Sequence, residues 1–168
     1  MPTPDKAALR QQLEDCHLDY PKLLGEVTPT KLRQRSASTA WTLGELLTHM
    51  ADNYVRLPAE IDSARKGKDY LNPPAIMRPL IPTMNRIMAQ RSARGQTLES
   101  LGRRYEQAHA AALVALDGIA ENEWGLGAKY YGLGYRTIEK LFTTYISHYW
   151  EHAGHVRESL PASDAVRP

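Results

Sequence analysis

Apolar residues recur every three or four positions in four segments of the chain, which is the spacing of an amphipathic helix. No segment shows the two-residue alternation of a half-buried β-strand. The four stripes are Leu9, Leu13, Cys16, Tyr20 and Leu23; Leu43, Leu47, Met50, Tyr54, Leu57 and Ile61; Leu98, Leu101, Tyr105, Ala108, Ala112, Leu116 and Ile119; and Ile138, Leu141, Tyr145, His148, His152 and His155. They predict one all-α domain over residues 1–168, a four-helix bundle with left-handed, near-antiparallel packing.

Local signals predict where the first helix begins and is interrupted and where the second helix begins. Asp5 is the predicted N-cap of the first helix, and Pro21 should kink or end that helix near Tyr20. Thr42 and Glu45 form a predicted capping box at the start of the second helix, where each side chain bonds the other residue's free backbone N–H. The second helix therefore has the clearest start in the chain.

The connections after the second and third helices are long. The first contains Pro73, Pro74, Pro79 and Pro82 but also many apolar residues, so we expect it to cover something, with a short helix at 82–91. The second, residues 124–135, combines glycines with aromatic residues. This composition suits a shaped but adjustable pocket wall.

The composition is that of a soluble globular protein, with 42% hydrophobic and 24% charged residues. A net charge of +2 gives no reason to expect a nucleic acid or an anionic membrane as partner. Cys16 is the single cysteine, so an internal disulfide is excluded and a reducing, cytoplasmic location is expected. The first ten residues lack the apolar core of a signal peptide, and no run approaches the roughly 20 apolar residues of a membrane span.

Three of the six histidines fall on one face of the fourth helix. His152 lies roughly 40° from His148, and His155 roughly 20° from it on the other side. A single histidine on an apolar face is usually a hydrogen-bonded core residue. Two in succession bring several polar nitrogens into the interior, and a shared metal ion offsets that cost. The spacing does not decide whether His148 and His152 or His152 and His155 chelate the ion.

Two other metal chemistries are disfavoured by the sequence. The zincin peptidase motif needs glutamate directly after the first histidine, where this chain has Tyr149. A di-iron carboxylate bundle needs Glu-x-x-His on two helices, and the chain has Glu14 with His17 and Glu106 with His109. However, Glu14 lies roughly 140° from its apolar stripe and Glu106 roughly 120°, so both are expected to face solvent.

Segments 41–51 and 148–156 resemble the DinB/YfiT-like superfamily of metal-dependent bundle enzymes. The resemblance lies in Trp41 just before the second helix, His49 eight residues later, and His148 and His152 on the last helix. It implies that His49, His148 and His152 bind one divalent metal ion, zinc or nickel. Some members transfer small thiols such as bacillithiol, mycothiol or glutathione, and members are often homodimers.

The resemblance thus implies a metal-dependent enzyme, of the thiol S-transferase or hydrolase type, acting on a small molecule. A low-molecular-weight thiol would be a further cofactor. The alternative is a non-enzymatic, stress-related binding or dimerisation module whose metal is structural or absent. Metal content and metal-dependent turnover distinguish the two.

Periodicity alone leaves His49 at the edge of the buried face of the second helix, about 100–120° from the centre of that face. The resemblance makes His49 a metal ligand that faces inward, and it therefore implies that the second helix is buried over a wider arc. The family often has glutamine at the position of His155. The role of His155 therefore stays open: it could be a fourth metal ligand, or it could contact one of the three ligands from behind. Other site candidates are Glu151, Asp52 and Asn53, which could orient ligand N–H groups, and Tyr130, Tyr131, Tyr135 and Arg136, which could contact substrate.

Overall fold

The computed structural model describes residues 4–71, 73–130 and 134–160, and the expected helices are present there. The α-helices are α1 (Lys6–Glu26), α2 (Leu43–Arg65), α3 (Ile81–Ala93), α4 (Leu98–Asp117) and α5 (Ile138–Glu158); the strands are β1 (Gly127–Lys129) and β2 (Tyr135–Thr137); and short 3₁₀ turns cover Pro29–Arg33, Ala75–Leu80 and Glu121–Glu123. The predicted all-α bundle is confirmed. No helix in the described ranges is long and apolar enough to cross a membrane.

The bundle consists of α1, α2, α4 and α5, in which α1 and α2 each pack against both α4 and α5. Side-chain contacts give the helix directions. His17 of α1 meets Glu106 of α4, and Arg10 meets Asp117, so α1 and α4 are antiparallel. Similar contacts make α2 and α5 antiparallel.

The other two neighbouring pairs are parallel, which corrects the expectation of near-antiparallel packing throughout. Asp52 of α2 bonds Arg104 of α4 at 2.5 Å, and Arg65 at the end of α2 bonds the carbonyl of Gly118 just beyond α4. Because parallel neighbours start at the same end, the chain must return along the bundle between them. The long connection after α2 makes this return, and α3 packs against α2 along the way.

Helix α3 includes the short helix predicted at 82–91 and covers a cavity with two of its side chains, Ile81 and Asn85. Many other apolar residues of this connection do not cover anything in the monomer. Leu80, Met84 and Met88 are about half exposed. The expectation that the connection covers something is therefore correct only for its inner face.

Pro21 was expected to kink or end the first helix near Tyr20, and it does not end the helix, because α1 continues to Glu26. Proline removes one intrahelical hydrogen bond and costs about 3 kcal/mol in a helix interior. The following turn offsets this cost by burying Leu23 completely and packing Leu24 against the core. Burying one leucine contributes about 1.5–3 kcal/mol, so tertiary packing outweighs the local signal.

The glycine-rich connection after α4 forms a small antiparallel hairpin. The hairpin was not predicted, because no segment of the sequence shows the two-residue alternation of a strand. Its three pairs are Gly127 with Thr137, Ala128 with Arg136 and Lys129 with Tyr135. A Cβ at Gly127 would lie 2.3 Å from the carbonyl oxygen of Arg136, so this close approach requires glycine. Strands of three residues are too short to show a period.

The predicted helix starts are confirmed by their hydrogen bonds. The Asp5 carboxylate accepts from the backbone N–H of Ala8. The Thr42 hydroxyl accepts from the N–H of Glu45 at 3.2 Å, and the Glu45 carboxylate accepts from the N–H of Thr42 at 2.8 Å. This capping box fixes the first turn of α2, the helix on which His49 stands.

Replacing Thr42 with alanine should lower the free energy of unfolding by about 0.5–2 kcal/mol, because the N-terminal N–H groups of α2 lose their acceptor. Urea denaturation measures the change. The control is Thr83→Ala on the exposed side of α3, which should change stability by less than about 0.5 kcal/mol. Equal losses in both variants would show that the capping box contributes nothing.

Candidate metal centre

Three histidines from two helices point their Nε2 atoms at one another. His49 of α2 lies with its Nε2 atom 3.0 Å from Nε2 of His148, and Nε2 of His152 lies 3.1 Å from the same atom. Ligands about 2.0–2.1 Å from a tetrahedral ion stand roughly 3.3 Å apart. The three nitrogens therefore have nearly the separation that a shared metal ion requires, and they could hold one.

The outer nitrogens of two of these rings face acceptors. Nδ1 of His152 lies 3.3 Å from Nδ1 of His155, and Nδ1 of His148 lies 3.7 Å from a carboxylate oxygen of Glu151. With the proton on Nδ1, each of these rings keeps its Nε2 lone pair for a metal. His155 thus lies behind His152 rather than beside the three converging nitrogens.

Asp52 and Asn53, the two residues of α2 that could orient ligand N–H groups, have different surroundings. The Asn53 amide lies 3.3 Å from Nε2 of His49, on the side of the converging nitrogens. The Asp52 carboxylate instead accepts hydrogen bonds from Arg104 and from the Ser92 hydroxyl at 2.7 Å. Asp52 therefore ties α2 to α3 and α4, while Asn53 borders the site.

Trp41 lies just before α2 and packs its indole against the histidine cluster. Its ring centroid lies 4.8 Å from that of His49 in an edge-to-face arrangement and 6.3 Å from that of His152. A rigid aromatic wall on this side restricts both rings and keeps water away from them.

Burial keeps the three imidazoles neutral. It lowers the pKa of His49 to about 3, with further lowering by the nearby His148, His152 and Arg56, and it lowers the pKa of His152 to about 3 as well. Burial also lowers the pKa of His148, although Glu151 opposes this shift. Neutral imidazoles with free lone pairs are the form that binds metal.

The histidines lie beside the core of α5, which corrects the fourth predicted stripe. Ile138 and Leu141 of that stripe are buried as predicted, but the histidines are only half-buried. The rest of the packed face is formed by Phe142, Ile146, Tyr149, Ala153 and Val156. The predicted stripe was rotated because imidazoles were counted as core residues. Their actual place at the edge of the core leaves one side of each ring accessible.

Helix α2 is buried over the wider arc that the resemblance implied. Besides its apolar stripe, Leu46, Thr48 and Asn53 are buried, because α3, α4 and α5 all pack against this helix. His49 is half-buried between these contacts and faces α5. The position of one helix among three neighbours, not its own periodicity, directs His49 inward.

A cavity of about 260 Å³ begins at His49 and His148 and runs between α2 and α5. Its other lining residues are Asn53, Arg56, Glu60, Ile81, Asn85, Tyr130, Arg136, Leu141, Thr144 and Tyr145. The cavity thus adjoins the converging nitrogens and carries both charged and aromatic groups. It is large enough for a small organic molecule.

The predicted substrate-contact residues are only partly at this cavity. Tyr130 and Arg136 line it, although the Tyr130 hydroxyl donates to the backbone carbonyl of Glu60 at 2.6 Å. Tyr135 is 61% exposed and points away, and Tyr131 lies outside the described residues. Arg136 is therefore the best-placed polar group of the hairpin.

Two lining residues, Arg56 and Glu60, were missed by the sequence analysis. They share one face of α2 with His49 and Asn53, at spacings of four, three and four residues. The sequence feature that could have identified them is this polar stripe with helical spacing beside the apolar stripe of α2. Burial raises the pKa of Glu60, while a hydrogen bond with Tyr145 and the charge of Arg56 oppose the shift.

The family model of the DinB superfamily matches residues 12–156. The chain belongs to the DinB superfamily. The match spans both helices that carry the three converging histidines. No curated protein matches the chain.

Solved structures share the fold of this DinB protein over its whole length. The crystal structure of a mycothiol-dependent maleylpyruvate isomerase has a TM-score of 0.73 at 17% identity, with 100% of this chain and 68% of that chain covered. A mutant of the same type of enzyme gives 0.73 at 16% identity, with the same coverage. A protein from Streptococcus pneumoniae gives 0.72 at 11% identity, covering 94% and 91%. These likenesses establish the fold.

The metal-free protein should become less stable as the pH falls from about 6.5 to 5. The folded state holds His49 and His152 at a pKa of about 3, so the unfolded chain takes up their protons first. Urea denaturation with a chelator present measures the slope. The double variant His49→Gln/His152→Gln should show a shallower slope, and an unchanged slope would contradict the assignment.

Proposed function

We propose that the protein is a metal-dependent enzyme that binds one divalent ion, zinc or nickel, through His49, His148 and His152. The observation that carries the proposal is the convergence of three neutral Nε2 atoms beside a cavity of about 260 Å³. Three imidazoles leave a fourth coordination position open, which is typical of catalytic rather than structural sites. A closed structural site would not adjoin a substrate-sized cavity.

A bound divalent ion would lower the pKa of a water or thiol at the open position and supply a nucleophile. The chain's own groups would hold and shield this position. Glu151 and His155 orient His148 and His152 through their outer nitrogens, and Trp41 keeps water from the ring faces. Asn53 can donate a hydrogen bond to a group seated beside His49.

The cavity favours an anionic small molecule. Arg56 and Arg136 line it, and Glu60 is the one carboxylate among its described lining residues. Burial raises the pKa of Glu60, which reduces the opposing negative charge. Planar guanidinium groups bind carboxylates through paired hydrogen bonds, so a substrate carboxylate is the best match for this lining.

We propose a low-molecular-weight thiol as the second reactant, which would make the enzyme a thiol S-transferase. The similarity in fold to a mycothiol-dependent isomerase supports this choice over hydrolysis. A free thiol requires a reducing environment, and the one cysteine of this chain, Cys16, is free and buried. A cytoplasmic location follows from the same proposal.

A second candidate function is that of a dimerisation module, which is compatible with an enzyme. Leu80, Met84, Ile87 and Met88 form a stripe at helical spacing on the outer face of α3 and are 43–52% exposed. Exposed apolar stripes of this kind mark interaction surfaces. We propose a homodimer through this face, which Ile87→Glu should convert to a monomer in analytical ultracentrifugation.

Replacing His148 with alanine should abolish tight binding of Zn²⁺ or Ni²⁺ at this centre, because its Nε2 atom lies close to both other ligands. Protein purified without a His tag and substituted with Co²⁺ gives a visible spectrum for the test. A thiol that binds the ion should add a charge-transfer band. The control is Ser147→Ala, which should keep the wild-type spectrum. Loss of the spectrum in this control, or the full wild-type intensity in His148→Ala, would refute the ligand assignment.

Replacing Arg136 with leucine should weaken binding of anionic substrates while leaving metal content unchanged, because Arg136 lines the cavity and is not one of the converging histidines. Loss of a charge-assisted hydrogen bond costs about 1.5–3 kcal/mol, or roughly tenfold or more in KM. Steady-state kinetics with paired carboxylate and amide substrates measures the effect. An equal KM change for both substrates would exclude recognition of the negative charge.

A further inference from the structure

A second cluster of histidines and carboxylates lies between α1 and α4, whereas the first centre lies between α2 and α5. Glu14 and His17 come from α1, and Glu106 and His109 come from α4. One carboxylate oxygen of Glu14 lies 3.9 Å from Nδ1 of His17 and 3.9 Å from Nε2 of His109. Glu106 is exposed as expected, but Glu14 is half-buried against the two rings.

His109 carries an unsatisfied nitrogen at this cluster. The residue is 3% exposed, and its Nε2 atom has no hydrogen-bond partner among the described residues. A buried polar atom without a partner costs about 1–3 kcal/mol. The cost is removed if the Nε2 lone pair, which faces the Glu14 carboxylate, coordinates a cation.

The other nitrogen of the His17 ring is held by an acceptor. Nε2 of His17 lies 2.6 Å from a carboxylate oxygen of Glu106, and this bond places the proton on Nε2 and the lone pair on Nδ1. At His109, burial lowers the pKa and the backbone of Leu13 opposes this shift, which is the direction that a carbonyl acceptor beside the ring gives. Metal-binding histidines typically donate their second N–H to a carboxylate or a backbone carbonyl in this way.

The two rings are also stacked, with centroids 4.2 Å apart and planes 8° from parallel. Stacking brings both free nitrogens to the side where Glu14 stands. The three ligand atoms all lie within 4.8 Å of one another, whereas ligands of a tetrahedral ion stand roughly 3.3 Å apart. The two 3.9 Å separations from Glu14 need shifts of about half an ångström. Rotation of the half-buried Glu14 and His17 side chains can supply these shifts.

We propose that Glu14, His17 and His109 form a second site for one divalent transition-metal ion, with Glu106 orienting His17. Two imidazoles and one carboxylate favour zinc, cobalt, nickel or copper over magnesium or calcium. The ion would join α1 to α4 and stabilise the bundle. This site does not depend on the three-histidine centre being catalytic.

Calorimetric titration with Zn²⁺ tests the site in the full chain. The wild type should bind two equivalents, and His148→Ala/His152→Ala should bind one. Adding Glu14→Gln to that double variant should weaken the remaining equivalent at least tenfold, because the shared carboxylate ligand is lost. Glu99→Gln, at an exposed position of α4, is the charge-matched control and should leave it unchanged.

A second measurement keeps the test independent of the substitutions. Zn²⁺ added to the double variant should shift the imidazole ¹⁵N resonances of His17 and His109 and raise the melting temperature. A double variant that binds no Zn²⁺, or binds one equivalent unaffected by Glu14→Gln, would overturn the proposal. One equivalent in both the wild type and the double variant, lost with Glu14→Gln, would support this site and reject the three-histidine centre.

Discussion

The antiparallel packing of α2 against α5 determines where the functional groups of this DinB protein lie. It brings His49 opposite His148 and His152, with neighbouring Nε2 atoms 3.0 and 3.1 Å apart. The same pairing opens the cavity one to three turns further along, where Arg56 and Glu60 face Tyr145. Since α4 packs on the remaining side of α2 in parallel, the chain needs the α3 return, and α3 closes the outer wall of the cavity.

Most of the fold could be predicted from the sequence because its strongest signals are local. The apolar stripes of α1, α2 and α4 became the core, and the capping box at Thr42 and Glu45 formed as its residue types require. The failures are places where tertiary contacts outweigh local preference. Pro21 is tolerated because Leu23 is buried beyond it, and the hairpin depends on one close approach at Gly127.

The candidate site could be predicted only in part, for a related reason. The spacing of His148 and His152 put both on one helix face, but their exact depth depends on the rotation of α5, which its apolar residues set. His49 was at the edge of its own stripe and faces inward only because α2 has three helical neighbours. Arg56 and Glu60 carried a helical period, yet polar periodicity alone does not distinguish a cavity wall from a solvated face.

Both histidine clusters use the edge of the core in the same way. At each one, helices that pack antiparallel bring imidazoles from different parts of the chain together, and further polar groups lie beside outer ring nitrogens. Burial at this depth disfavours protonation, as the lowered pKa values of His49, His109 and His152 show. A bundle with a net stability of about 5–15 kcal/mol gains nothing from desolvated imidazole nitrogens that converge on one another or, as at His109, lack a partner. These nitrogens have a physical explanation if each cluster binds a cation. Only the folded chain brings the ligands of such a cation together.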